Sequence, residues 1–376
     1  MDLFQNEQLD KKLQEEYERL VNETQKPGIL LVGGTGVGKS SLCNMIFGEN
    51  IAPTGMGLPI TQTIKKYESN STSVRIYDSA GYECGKTEEF FNDVIELVKD
   101  NPAQSDINII WYCIQASGSK ITDFDINTIK TLNDTGCPIC VVLTKVDISS
   151  DDDIRILRNI ITDSFVGHIP VFETTTKHPE YNQAEELIAW STDKLPDSLK
   201  MSFIKQQKCN LEQKRKHAKA AIIQHISTAG LIGCSPIPGS DAPLLAANEM
   251  TLLARILYIY DLGNMQNMIS SVGIDFLMTA LGKSIVGTIF KFIPGVGNVI
   301  GGMINSTVAV SLTWALGKSV CLAAEKIWDA KINGNNAELE RIINNITPII
   351  VDSAKNILET KTGNEKDFDK NFKKRK

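Results

Sequence analysis

The first residues, Met1-Asp2-Leu3-Phe4-Gln5-Asn6-Glu7, lack the basic start and apolar stretch of a secretory leader. A reducing, cytoplasmic setting is therefore expected, in which the eight cysteines are thiols. Cys137-Pro138-Ile139-Cys140 has the spacing of a metal or redox pair, but no second pair accompanies it. That removes a four-cysteine zinc site and leaves core packing at the start of a strand. Positive charge is scarce in one half only. Residues 1–200 hold 18 Lys and Arg against 31 Asp and Glu, net −13, and residues 201–376 hold 21 against 14, net +7, which together make the total of −6. The second half, basic and rich in long apolar segments, is the part expected to meet an anionic surface. A length of 376 residues suits two domains.

Against these absences one short run carries chemistry. Gly33-Gly34-Thr35-Gly36-Val37-Gly38-Lys39-Ser40 fits G-x-x-x-x-G-K-[ST], and the apolar Ile29-Leu30-Leu31-Val32 before it reads as the strand such a loop needs. Small residues let the backbone N–H groups from Gly34, Thr35, Gly36, Val37 and Gly38 to Ser41 curl around phosphates. Lys39 reaches the β- and γ-oxygens, Ser40 ligates Mg²⁺, and the helix that follows adds its positive dipole end. A second apolar run, Ile139-Cys140-Val141-Val142-Leu143, leads into Thr144-Lys145-Val146-Asp147, the [NT]-K-x-D pattern of guanine readers. Asp147 can accept from both N1–H and N2–H₂ of guanine, whereas adenine leaves its lone pairs unsatisfied. Lys145 would lie along the face of the base.

Two further stretches face the γ-phosphate. Asp78-Ser79-Ala80-Gly81, after the strand Ser73-Val74-Arg75-Ile76-Tyr77, matches D-x-x-G: Asp78 would hold Mg²⁺ through water and the Gly81 N–H would meet the γ-phosphate. Gly55 to Thr61 reads as a mobile glycine-rich loop, whose Thr61 suits the second protein ligand of Mg²⁺, with Thr63 the alternative. The strand Ile169 to Thr174 ends in Thr175-Thr176-Lys177. These five elements, in this order, resemble the Era-like and immunity-related branches of the translation-factor class of P-loop GTPases over residues 25 to 197. Thr175, Thr176 and Lys177 look like the loop of Ras-like GTPases that closes over guanine O6. The resemblance implies an α/β fold with a mainly parallel sheet between helices, GTP or GDP with Mg²⁺ as cofactors, and hydrolysis with Lys39, Thr61 and Gly81 as catalytic residues.

One residue of the Ras pattern is missing. Tyr82 follows Gly81, so no glutamine orients the attacking water. Gly36 likewise stands where some Era-like enzymes use an asparagine to help coordinate potassium. Immunity-related, septin-like and dynamin-like GTPases also lack the glutamine, and several complete their sites by dimerising through the nucleotide faces. The resemblance thus implies slow turnover, raised by a homodimer or a partner, with another switch residue such as Glu83 as the alternative.

The chain is expected to divide into an amphipathic helix (1–26), a GTPase domain (27–197), an all-α domain of apolar helical hairpins (198–360) and a basic tail (361–376). Leu9, Leu13, Tyr17, Leu20 and Val21 sit at helical spacing, so the first helix must pack on either the C-terminal half or the GTPase domain. The second domain is read as starting near Leu199 with one basic helix carrying Lys205, Lys208, Lys214, Arg215, Lys216 and Lys219. Helices over 242–262 and 272–292, and another to about Leu322, follow, bent at Ile237-Pro238-Gly239 and Ile293-Pro294-Gly295. With Thr313-Trp314-Ala315-Leu316-Gly317, this stretch resembles the helical domain of unknown function that follows Era-like GTPase domains in many bacterial proteins. Phe292 to Gly317 is uncharged and long enough for a bilayer, yet Pro294 and repeated glycines interrupt it, so a soluble bundle and a hairpin insertion both fit. Conditional attachment to anionic lipid at the inner face of the cell membrane is expected through Lys205 to Lys219 and the tail. Nucleic acid is not favoured as a partner, because no G-x-x-G loop with basic strands follows the GTPase segment.

Overall fold

The computed structural model describes residues 2–48, 51, 58–59, 64–69, 72–79, 87–98, 101–117, 120–165, 168–178, 182–234, 241–262 and 306–359. The chain divides into two compact units, Thr24–Gln213 and Met1–Glu23 with Lys214–Lys376.

Among the described residues the first unit is built on seven strands: β1 (Gly28–Val32), β2 (Leu58–Pro59), β3 (Lys65–Tyr67), β4 (Arg75–Asp78), β5 (Ile109–Gln115), β6 (Ile139–Thr144) and β7 (Val171–Glu173). Their order is β2-β3-β4-β1-β5-β6-β7. From β4 through β7 neighbours run parallel, while β2 and β3 add an antiparallel edge. The central strands read as unbroken apolar runs because helices cover both faces. Alternation along β1 sends Leu30 and Val32 to one face and Ile29 and Leu31 to the other. Phe90 of α3 (Thr87–Leu97), Ile129 and Leu132 of α4 (Asp123–Asp134), and Leu157 and Ile161 of α5 (Asp151–Ser164) close the first face. Phe47 of α2 (Lys39–Phe47), Leu187 of α6 (Ala184–Lys194) and Phe203 of α7 (Asp197–Gln206) close the second. Phe47 stacks on Trp111 with ring centroids 5.7 Å apart and planes 6° apart. Burying each such side chain contributes roughly 1.5–3 kcal/mol.

The second unit is helical. It comprises α1 (Asp2–Glu23), α8 (Leu211–Ile232), α9 (Asp241–Ile259), α10 (Ser306–Ile332), α11 (Asn336–Asn344) and α12 (Ile346–Glu359) among the described residues. Of the two surfaces open to the amphipathic first helix, it takes the C-terminal one: α1 packs on α9, with Tyr17 and Tyr258 rings 6.2 Å apart. The Thr313 to Gly317 segment of α10 has a packing explanation. The Thr313 hydroxyl donates to buried Glu249 of α9, and a Cβ on Gly317 would stand 2.8 Å from Ile222 Cγ1 and 3.1 Å from Leu252 Cδ2, so glycine lets α10 approach α8 and α9 closely.

Several expectations change here. Leu199 and Phe203, assigned by sequence to the helical half, lie in the core of the sheet unit. The basic segment is two helices rather than one. Gln207 Oε1 accepts from the N–H groups of Cys209 (3.0 Å) and Asn210 (2.7 Å), holding a turn, and Asn210 Oδ1 caps α8 by accepting from Gln213 N at 2.9 Å. Within that segment Lys205 and Lys214 are buried. Lys214 Nζ donates to the Ile259 carbonyl at 2.8 Å, satisfying the end of α9, and lies 6.0 Å from the centre of the Trp328 ring. Arg215 pairs with Glu325 at 3.0 Å. The last long helix continues to Ile332 rather than stopping near Leu322. Leu58 and Pro59, read as part of a mobile loop, pair with Lys66 and Lys65 of β3. The Ser235 to Ser240 turn, the 272–292 helix with its Ile-Pro-Gly turn, and the basic tail lie outside the described residues.

Candidate nucleotide-binding site

Parallel strands converge at their C-terminal ends, so the loops after β1, β4, β6 and β7 share one edge of the sheet. The loop after β1 turns through left-handed or otherwise positive φ at Gly33 (135°), Gly36 (78°) and Gly38 (108°). At Gly33 a side chain is also sterically excluded, since a Cβ would sit 2.1 Å from the Cys113 carbonyl oxygen. No side chain caps the start of α2, which leaves its first N–H groups open to an anion. Lys39 Nζ donates to the carbonyls of Gly33 (2.6 Å) and Gly34 (3.1 Å), closing the loop on itself.

Asp78 ends β4 beside this loop. It is largely buried, and among the described residues its Oδ1 has no hydrogen-bond partner; buried Ser79 Oγ, next to it, has none there either. Burial pushes the Asp78 carboxyl upward, opposed by the charges of Lys39 and Lys65. A buried carboxylate oxygen without a partner, within the field of Lys39, fits the hydrated Mg²⁺ of a nucleotide complex. Thr61, Thr63, Gly81 and Tyr82 lie outside the described residues.

On the other side, Lys145 adopts a left-handed φ of 56° and opens the short turn Val146–Ile148. Its ammonium donates to the Gly36 carbonyl and to Gln115 Oε1, both at 2.7 Å. The Thr144 hydroxyl donates to the Val37 carbonyl and to Ile114 O at 3.3 Å. These bonds tie the guanine-type loop to the phosphate-type loop. Asp147 Oδ1 accepts from the Thr175 hydroxyl at 2.6 Å, which holds the carboxyl below its usual range. Thr175 Oγ1 in turn accepts from Lys177 N at 3.1 Å. Between these loops is a pocket of about 170 Å³ lined by Gly38, Ser41, Met45, Lys145, Asp147 and Thr176, among others.

The sequence model of the 50S ribosome-binding GTPase family matches residues 28–145, which run from the first strand to Lys145 at the start of the guanine-type loop. The sheet unit has the fold of a P-loop GTPase domain. Guanine nucleotide and Mg²⁺ are the usual cofactors of such domains. Over 126 residues the chain is 29% identical to GTPase Der of Brevibacillus brevis, covering 32% of this chain and 28% of that protein. It is 23% identical over 188 residues to human Septin-14, covering 43% of each. With Cell division control protein 10 of Saccharomyces cerevisiae it shares 21% identity over 177 residues, 39% of this chain and 55% of that one. The chain thus spans under a third of the length of the Der protein it matches.

Two contributors to the candidate site escaped sequence reasoning. Met45 reaches the pocket from the second turn of α2, a position outside the phosphate-loop pattern. Gln115 is absent from every motif; it comes to the site because β5 pairs with β6 in the register Gln115↔Thr144. Cys137 and Cys140 are buried in the clusters on opposite faces of the sheet, and burial pushes both thiols up.

Proposed function

We propose that this protein binds GTP and hydrolyses it, and that its nucleotide state controls self-association. The observation that carries the reading is the convergence, on one sheet edge, of Lys39 in a closed glycine loop, the unpartnered oxygen of Asp78, and Asp147 held by Thr175. In this reading Asp147 selects guanine by accepting from two donors that adenine does not present in that pattern. Backbone N–H groups of the loop and Lys39 bind the phosphates. Ser40, Thr61 and, through water, Asp78 would hold Mg²⁺, which would supply positive charge to offset that of the phosphates. Tyr82 supports a homodimer across the nucleotide face, since no side chain of the glutamine type follows Gly81 to position the water. The experiment is nucleotide titration of the full chain. GTP and GDP should bind far more tightly than ATP, and equal affinities would remove the assignment.

The helical unit bears on what the switch acts upon. Burial of Lys205 and Lys214, and the pairing of Arg215 with Glu325, take three cations out of the run expected to meet anionic lipid. Ser306–Ile332 is one helix, among the described residues, long and apolar enough to cross a membrane, but 67% of its apolar window is buried within the protein. Both observations favour a soluble, GTP-dependent interaction switch over membrane engagement. Flotation with anionic vesicles, in GTP analogue and in GDP, separates the two: the soluble switch stays in the lower fraction in both states.

A further inference from the structure

We infer that Gln115 is a positioning residue for the nucleotide, acting by fixing the ammonium of Lys145; the inference rests on the GTP-binding reading of the same site. Parallel pairing places Gln115 beside Thr144, so the residue after Thr144 leaves the sheet next to the Gln115 side chain. Lys145 then turns through φ 56°, and its side chain crosses the pocket to meet the Gly36 carbonyl and Gln115 Oε1, each at 2.7 Å. A lysine ammonium on a four-carbon stem has many rotamers of similar energy, and two fixed acceptors restrict it to a few.

The direction of the Gln115 amide is itself determined. Its Nε2 donates to Ser117 Oγ at 2.9 Å and to Ser117 O at 3.1 Å. Flipping the amide would set an NH₂ group against the ammonium and a carbonyl against a carbonyl. Ser117 therefore anchors Gln115, Gln115 anchors Lys145, and Lys145 holds both the stem that lines the pocket and the carbonyl of the phosphate loop. Without Gln115 the stem would have to be ordered at the moment of binding, and that ordering would appear as faster nucleotide release.

The test is GDP dissociation from the full-length protein, measured with a fluorescent GDP analogue, for Gln115→Ala, Gln115→Glu, Lys145→Ala and the Gln115→Ala/Lys145→Ala pair. Losing a hydrogen bond to a charged group should raise the dissociation rate about tenfold in Gln115→Ala. Gln115→Glu keeps an acceptor for the ammonium, and its second oxygen can accept from the Ser117 hydroxyl in place of the lost amide donation, so it should stay within about threefold of the parent. The double variant should release GDP no faster than Lys145→Ala alone, because Gln115 acts only through the lysine. Additive losses, or equal losses in the Ala and Glu variants, would overturn the inference, whereas a parent protein that binds no guanine nucleotide would overturn the reading of the site along with it. Far-ultraviolet circular dichroism and melting of the nucleotide-free variants guard against misfolding. If Gln115→Ala melts well below the parent, the Gln115→Glu rate and its comparison with Lys145→Ala decide.

Discussion

The hydroxyl of Thr175 donates to a carboxylate oxygen of Asp147 across 2.6 Å. The residue that would read the base is therefore aimed by a side chain from the next loop, 28 positions along the chain. Replacing Asp147 with Asn should shift preference from guanine toward xanthine nucleotides, since the amide then offers a donor where the carboxylate accepted. Thr175→Val keeps the shape and removes the donor; guanine nucleotide should bind about fivefold to tenfold more weakly, with the guanine-over-adenine preference reduced rather than reversed. Competition titration with GTP, XTP and ATP checks both, and an unchanged XTP affinity in the Asn variant would count against Asp147 as the base reader.

Lys39 bonds to the carbonyls of its own loop at 2.6 and 3.1 Å. Lys39→Ala should abolish hydrolysis and lower nucleotide affinity by on the order of a hundredfold, with little change in folding, since the two bonds it loses are local ones, within its own part-buried loop. Thr61→Ala should spare GDP binding and weaken Mg²⁺-dependent turnover. Specific activity of the parent should rise with protein concentration. Turnover that is fast and independent of concentration would exclude assistance from a second copy.

Glu249 is fully buried on α9, with one oxygen bonded to Thr313 and Oε2 without a hydrogen bond among the described residues. Burial raises its pKa from 4.5 to about 7. The folded state thus holds the proton more tightly than the unfolded chain, so this contribution to stability is complete below about pH 4.5 and is lost as pH rises through about 7. The loss is on the order of 3 kcal/mol for a shift of this size. Glu249→Gln cannot ionise, and its melting temperature should gain on that of the parent between pH 5 and pH 8, a window set by the two pKa values. A constant difference across that range would show that Glu249 does not titrate there.

Lys214 and Lys216 stand two residues apart in sequence and in opposite environments: Lys214 is buried, bonded to the Ile259 carbonyl, while Lys216 is exposed. Lys214→Glu should destabilise the helical unit by about 3–5 kcal/mol, because a buried anion would face a carbonyl. Lys216→Glu should change stability by less than about 0.5 kcal/mol and is the variant that tests surface charge without disturbing the fold. Chemical denaturation of each variant measures the difference.

Much of this protein is decided by short-range pattern. The glycine loop, D-x-x-G and [NT]-K-x-D each follow an apolar run, and each run is a strand whose end lies on the shared edge, because loop chemistry and strand hydrophobicity are local properties. The amphipathic stripe of α1 is equally local, and it announces that a partner surface exists without saying which one. Four matters needed the tertiary structure. Lys214 looks like any surface lysine until α9 and Trp328 enclose it. Leu199 and Phe203 read as the start of a new domain, yet the open face of the sheet captures them. Glu249 acquires its raised pKa only from burial opposite Thr313, 64 residues away. Gln115 joins the site through cross-strand register alone. Burial and register are set by segments distant in sequence, so motif spacing carries no trace of them.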